Sequence, residues 1–287
     1  MSGRDPLQLS EKLTEKYNIM ADFLTSNKLK VNDDKTHQLV LTSRQKRQHV
    51  DLSTMIITTP TATVRPSKVE RLRGAQVHED MRWKDHIMDN EESLLKALTM
   101  RKGAMKKVCR VASFKSRKML ANGVFMSKLI YLMPVWAGCE DYLTKALQVI
   151  QNKVARSVTK KNIFTPTKVL MKECGWLTVR QLMVYHSLIQ VHKTIQHKTP
   201  SYLYERVTSQ LSLLDTGGHY YYKTRQEARG VLRQVPEAEA RLDLADRSWC
   251  WRAAQSYHSL PLSIKLESKL PKFKTALKAW VLGNIET

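Results

Sequence analysis

Acidic residues almost vanish from the middle of this chain. Between residues 93 and 204 there are 20 lysines and arginines against only Glu140, Asp141 and Glu173, so this block carries +17 of a formal net charge of +22. The flanks are close to balanced, with 15 basic and 14 acidic side chains in residues 1–92 and 13 and 9 in residues 205–287. A field of one sign draws polyanions in at long range and repels itself when nothing is bound. Nucleic acid, as RNA, DNA or an RNA–DNA hybrid held through its phosphates, is the partner such a block implies.

Cysteine is scarce as well. Cys109, Cys139, Cys174 and Cys250 are widely separated and form no C-x-x-C pair, which argues against a zinc site or a disulfide framework. Long hydrophobic runs are missing: the most apolar stretch, residues 124–139, is interrupted by Lys128 and is too short to span a bilayer, so no membrane partner is expected. The opening M-S-G-R-D-P-L has no apolar signal region, which points to an intracellular, reducing location, nuclear or cytoplasmic. No G-x-x-x-x-G-K-[ST] loop, G-x-S-x-G elbow or H-E-x-x-H pair occurs. His186 and His192 fall on one expected helix but not four residues apart, and packing explains them more simply.

At 287 residues and 42% hydrophobic, the chain has enough apolar material for one large domain or two smaller ones. Leu9, Leu13, Tyr17, Met20 and Leu24 recur at helical spacing after Pro6. Residues 35–42 and 50–59 are β-branched or alternating runs and suggest a strand pair, with a weaker third strand at 69–77. From Trp83 the period becomes helical. Ile87, Leu94, Leu98 and Met105 mark one helix, residues 119–136 a second, Leu143 to Val158 a third and residues 179–195 a fourth. The expected fold is mainly α with a small antiparallel β element near the N-terminus, an α+β chain whose centre is a basic helical bundle. Its parts would be 1–82, helix and small sheet; 83–208, the bundle; 209–246, a linker with Gly217-Gly218 and Tyr220-Tyr221-Tyr222; and 247–287, a last helical unit rich in Trp249, Trp251, Tyr257, Phe273, Leu277 and Trp280.

Several short motifs share an order. N-K-L-K-V-N-D-D-K-T at 27–36 precedes L-R-G-A-Q-V-H-E-D-M-R-W-K-D-H-I at 72–87. V-W-A-G-C with L-Q-V-I-Q-N-K-V-A-R-S-V follows within 135–158, then T-P-S-Y-L at 199–203, Thr224-Arg225, and S-Y-H-S-L-P-L with Phe273-Lys274. This series resembles the end of the palm, the thumb and the region after it in the reverse transcriptases (RNA-directed DNA polymerases) of non-LTR, LINE-type, jockey-like retrotransposons. The resemblance implies a primer-grip-like hairpin at Leu72, Arg73, Gly74 and Ala75, a thumb opened by Trp83 and His86, and a position for Lys35 near an incoming nucleotide. Departures are Arg73 where the grip usually has Leu, Ala75 where it has Val, and His258 where Asn usually precedes Leu-Pro. The first motif in that family follows the catalytic aspartates, so the chain is expected to be a truncated, non-catalytic piece of such an enzyme.

Two-metal nucleotidyl transfer needs carboxylates on adjacent strands. Asp33-Asp34 is the tempting pair, but it sits between Val31-Asn32 and Lys35-Thr36, in the context of a turn, and the only aspartates upstream are Asp5 and Asp22. No catalytic residue, metal ligand or cofactor is therefore assigned; Mg²⁺ would be needed only by an intact polymerase. The assigned contacts are to phosphate: Arg101, Lys102, Lys106, Lys107, Arg110, Lys115, Arg117 and Lys118, extended by Lys153, Arg156, Lys160 and Lys161. Helical spacing puts Lys102, Lys106 and Arg110 on one face and leaves Leu98, Met105 and Val108 for the core. Trp83, Trp136 and Trp176 are candidates for base stacking and more simply core. Two alternatives remain: a retroelement-derived helical protein-interaction module, and a thumb subunit that complements a separate palm-containing reverse transcriptase chain.

Overall fold

The computed structural model describes residues 5–32, 35–42, 44–49, 51–58, 63–215 and 249–285. It divides into two compact units, Met1–Ser93 and Leu94–Thr287. The architecture is mainly helical with short strands confined to the first unit, as the sequence leads one to expect.

In the first unit, Asp5 caps helix α1 (Pro6–Ser26): its carboxylate accepts from the Leu7 amide at 3.0 Å, and Pro6 occupies a position that needs no amide donor. Tyr17 is buried and the Ser10 hydroxyl donates to the Ile56 carbonyl, whereas Met20, expected on the inner face, stays exposed. The strand pairing differs from the expected one. β1 (Gln38–Leu39) follows α1, then a short helix α2 (Arg44–His49), β2 (Ile57–Thr58), β3 (Thr63–Val64) and β4 (Pro66–Ser67). β1 pairs in parallel with β4 rather than with β2, and β2 pairs antiparallel with β3. Gln38 explains the choice. Its buried side-chain amide lies 3.2 Å from the carbonyls of both Met55 and Val64 when its nitrogen faces them, and Ser67 donates to its backbone carbonyl at 3.0 Å, so one polar residue joins three segments.

The longest ladder is the hairpin of β5 (Val69–Leu72) and β6 (Ala75–His78), in register Leu72 to Ala75 and Val69 to His78. Its two-residue turn has positive φ at both Arg73 (49°) and Gly74 (87°), the signature of a type I′ turn. A π-helical turn, Asp85–Asp89, packs against β6. Trp83 and Ile87 are buried there, and His86 accepts from the Gln76 amide through Nδ1 at 3.4 Å. Trp83 and Ile87 therefore belong with the hairpin, and the division between units falls at Ser93, beyond the expected 82/83 boundary. Arg47 reaches Glu79 at 2.8 Å and Asp80 at 2.7 Å, tying α2 to the residues after β6.

The second unit is helical. α3 (Leu94–Val111) is followed by α4 (Phe114–Ala121), a π-helical turn (Asn122–Met126), α5 (Ser127–Ile130) and α6 (Met133–Trp136). The sequence suggests one helix over 119–136. Instead the π turn inserts after Ala121, and Leu132, at φ 53°, stops the chain so that Pro134 starts a new helix instead of ending an old one. α7 (Asp141–Thr159) is the spine of the unit: Leu143, Leu147, Ile150, Val154 and Val158 are buried along one stripe, and α3, α4, α8 (Thr167–Cys174) and α9 (Val179–His197) all pack on it. Thr178 and Gln181 close a reciprocal capping box at the start of α9.

Helix α10 (Ser201–Asp215) covers part of the expected linker, whose residues 216–246 lie outside the described ones, as do Gly217-Gly218, Tyr220-Tyr221-Tyr222 and Thr224-Arg225. Three C-terminal helices, α11 (Trp249–His258), α12 (Leu262–Lys265) and α13 (Leu270–Asn284), complete the same unit. α9 anchors α11 and α13. His192 stacks on Phe273 with ring centroids 3.7 Å apart and lies 3.3 Å from the Tyr257 hydroxyl, Trp249 donates to Ser187 at 3.1 Å, and Gln181 donates to the Ile285 carbonyl at 2.9 Å.

Candidate nucleic-acid interface

Arg117 organises the basic surface from inside. It is only 6% exposed; its Nε donates to the Val158 carbonyl at 2.6 Å and one terminal nitrogen to the Ala112 carbonyl at 2.7 Å. Those oxygens lie at the C-terminal ends of α7 and α3, where helical carbonyls lack partners and the helix dipole is negative. One guanidinium thus satisfies two helix ends and holds them within its own span. Arg117 is therefore not a phosphate contact, as its place in the basic run suggests, but the fastener beneath that surface.

The residues around the fastener fall into two groups. Lys106, Lys107 and Arg110 on the last turns of α3, Lys115 on α4, Lys153 near the end of α7, and Lys160 and Lys161 after it are exposed. Lys102, Arg101, Lys118 and Arg156 are half-buried, and two of them are engaged: Arg101 donates to the Val124 carbonyl at 2.7 Å and Arg156 to the Thr165 carbonyl at 3.3 Å. Lys161 lies 3.8 Å from Glu173, which offsets part of its charge. The α3 core stripe is Leu94, Leu98, Met105 and Cys109; Val108, expected inside, is 47% exposed. With the stripe so placed, Lys102, Lys106 and Arg110 follow one another along a single flank.

Lys145, Lys168 and Lys172 were missed by sequence reasoning, yet all are exposed. Lys145 shares the outward arc of α7 with Lys153 and Arg156, eight and eleven residues on, and Lys168 and Lys172 lie opposite the buried Leu170, Met171 and Cys174 of α8. The α7 stripe was legible, so its complement was too.

In the first unit, Leu72 and Arg73 are exposed at the hairpin tip, Gly74 is half-buried and Ala75 buried. Lys35 is exposed in the turn before β1, its amide donating to the Asn32 carbonyl at 3.1 Å. Asp33-Asp34 lies outside the described residues. Among the described residues no group of three or more His, Cys, Asp or Glu side chains is placed to hold a metal ion, and no helix is long and apolar enough to cross a membrane.

The three tryptophans considered for stacking are all buried: Trp136 donates to the Tyr131 carbonyl at 3.3 Å, Trp176 to Asn122 at 2.9 Å, and Trp83 packs edge-on to His86. Trp176, Tyr131, Tyr185, His186 and Lys278 line an open cleft of about 480 Å³ in the second unit. Burial, with Lys274 nearby, pushes the pKa of His186 down to about 4, so the ring is neutral at pH 7. Burial pushes the Cys139 and Cys174 thiols up to about 11, which keeps them protonated and poor nucleophiles. No protein-family profile, curated protein or solved structure matches the chain.

Proposed function

We propose that this chain is a nucleic-acid-gripping piece of a non-LTR-type reverse transcriptase, in which the helical unit holds RNA, DNA or their hybrid by its phosphates, thumb-fashion, and no residue serves nucleotidyl transfer. The carrying observation is the fastening of the C-terminal ends of α3 and α7 to one buried arginine, which gathers Lys106, Lys107, Arg110, Lys115 and Lys160 from segments distant in sequence. Cations on helix surfaces follow a phosphate backbone without reading bases, as a grip on any sequence requires. The ordered motifs from residue 27 to Phe273-Lys274 support the family reading.

Counterion release makes the proposal quantitative. If about five to eight phosphates are neutralised, affinity for duplex falls with salt on a log–log slope of roughly −4 to −7. Replacing Lys102, Lys106, Lys107 and Arg110 with Gln flattens that slope by about one for each phosphate no longer neutralised, equally for two unrelated sequences. Fluorescence anisotropy against salt on labelled hybrid and duplex reads it. Unchanged affinity and slope would sink the grip and favour a protein partner; a loss confined to one sequence would mean base readout.

A further inference from the structure

Residues 160–166, between α7 and α8, leave two large apolar side chains in water at the centre of a cationic neighbourhood. Ile163 is 69% exposed and Phe164 87%, the most exposed aromatic of the basic block among the described residues. The loop that carries them is braced. The Asn162 carbonyl accepts from the Thr165 amide at 3.1 Å, and its side-chain oxygen lies 3.4 Å from the Phe164 amide. Arg156 donates to the Thr165 carbonyl at 3.3 Å, and Asn152 donates to the Thr167 hydroxyl at 2.8 Å, tying the C-terminal side of the turn back to α7, out of which the chain enters it at Lys160. Lys160 and Lys161 precede the pair, Lys168 follows it, and all three are exposed.

We propose that Phe164, shouldered by Ile163, is a stacking wedge: its ring lies against the first unpaired base at the end of a duplex or hybrid whose phosphates rest on Lys160, Lys161 and Lys168. This rests on the phosphate-grip reading above and adds to it a preference for junctions. Every base has a π face, so a single aromatic ring binds any sequence, and the cations beside it neutralise the backbone that brings the base there. Apolar side chains inserted at base steps are a known means of unstacking nucleic acid. An anionic bilayer is the competing occupant, but one ring and one isoleucine on a short turn offer far less apolar area than an interfacial helix buries.

The test uses the full chain and two RNA–DNA hybrids, one blunt and one with a single-stranded overhang carrying 2-aminopurine as the first unpaired base. The unaltered protein is expected to bind the overhang more tightly and to perturb the 2-aminopurine emission. Phe164→Ala should weaken overhang binding roughly tenfold, as expected for one stacking contact, and abolish the emission change. Blunt-hybrid affinity and salt slope should stay as they were, and Phe164→Trp should restore the preference. Overhang binding and emission unchanged by Phe164→Ala would overturn the wedge while leaving the grip standing. An unaltered protein that binds neither hybrid would overturn both. Binding to phosphatidylserine vesicles that requires Phe164, without any effect of Phe164 on the hybrids, would assign the loop to a membrane instead.

Discussion

Arg117 carries two hydrogen bonds from a charged donor to helix-terminal carbonyls, and each such bond contributes about 1.5–3 kcal/mol. Arg117→Met is therefore expected to destabilise the helical unit by about 3 kcal/mol in urea unfolding, with Arg117→Lys recovering only part because one ammonium cannot span both acceptors. A variant of undiminished stability that had lost nucleic-acid affinity would return Arg117 to the surface. His186 gives a second prediction. Its pKa in the folded protein lies near 4, below the ordinary 6.5, so between those values the unfolded chain binds a proton that the folded one refuses. The stability that His186 contributes is complete above about pH 6.5 and is lost as pH falls towards 4, in the same direction as the lowered pKa of buried His192. His186→Gln should make the fall in melting temperature from pH 7 to 4.5 shallower than in the unaltered protein; superimposable curves would refute it.

Among the elements, those with one uninterrupted period were legible. The stripe from Leu143 to Val158 identifies α7, because one buried face repeated over five turns leaves little ambiguity, and residues 179–195 identify α9 nearly to its ends, although its buried residues, from Val179 to Thr194, lie nearly all round the helix. Residues 119–136 were not legible in detail: the apolar run hides a π turn and a left-handed Leu132, both backbone events without a composition signal. Strand pairing was illegible for another reason, since β1 meets β4 where Ser67 donates to the Gln38 backbone carbonyl and the Gln38 side chain reaches Met55 and Val64, contacts remote in sequence. The β5–β6 hairpin was implied only by the family resemblance, since the residues themselves read as a single weak strand over 69–77, and its turn yields a prediction of its own. Arg73 holds φ 49°, where most side chains are strained, whereas Asn tolerates that region and Asn-Gly is the favoured type I′ pair. Arg73→Asn should stabilise the first unit by about 0.5–1 kcal/mol, read as a shift of the urea midpoint at constant m-value; a destabilisation would mean that the Arg73 side chain contributes more than its backbone strain costs.

For the whole molecule, the charge asymmetry could be counted directly; the sequence suggested four parts with a boundary at the change of period before Trp83, whereas the chain forms two compact units that divide after Ser93, the turn at Asp85–Asp89 packing against β6. The candidate surface was legible as a set of cations and not as a shape. Arg117 looks like its neighbours in the sequence, and only burial separates it from them. Phe164 went unremarked because an exposed aromatic and a buried one are the same letter. The fastener also sets an order on the chain's emergence from a ribosome. Its nearer acceptor, Ala112, lies five residues back, whereas Val158 lies 41 residues ahead. A nascent chain that has reached Ala121 already carries the lysines of α3 and α4 but not the second helix end against which they are set. The charge is made early and the surface late, and in that interval the growing segment carries its cations without the second helix end against which the fastener sets them.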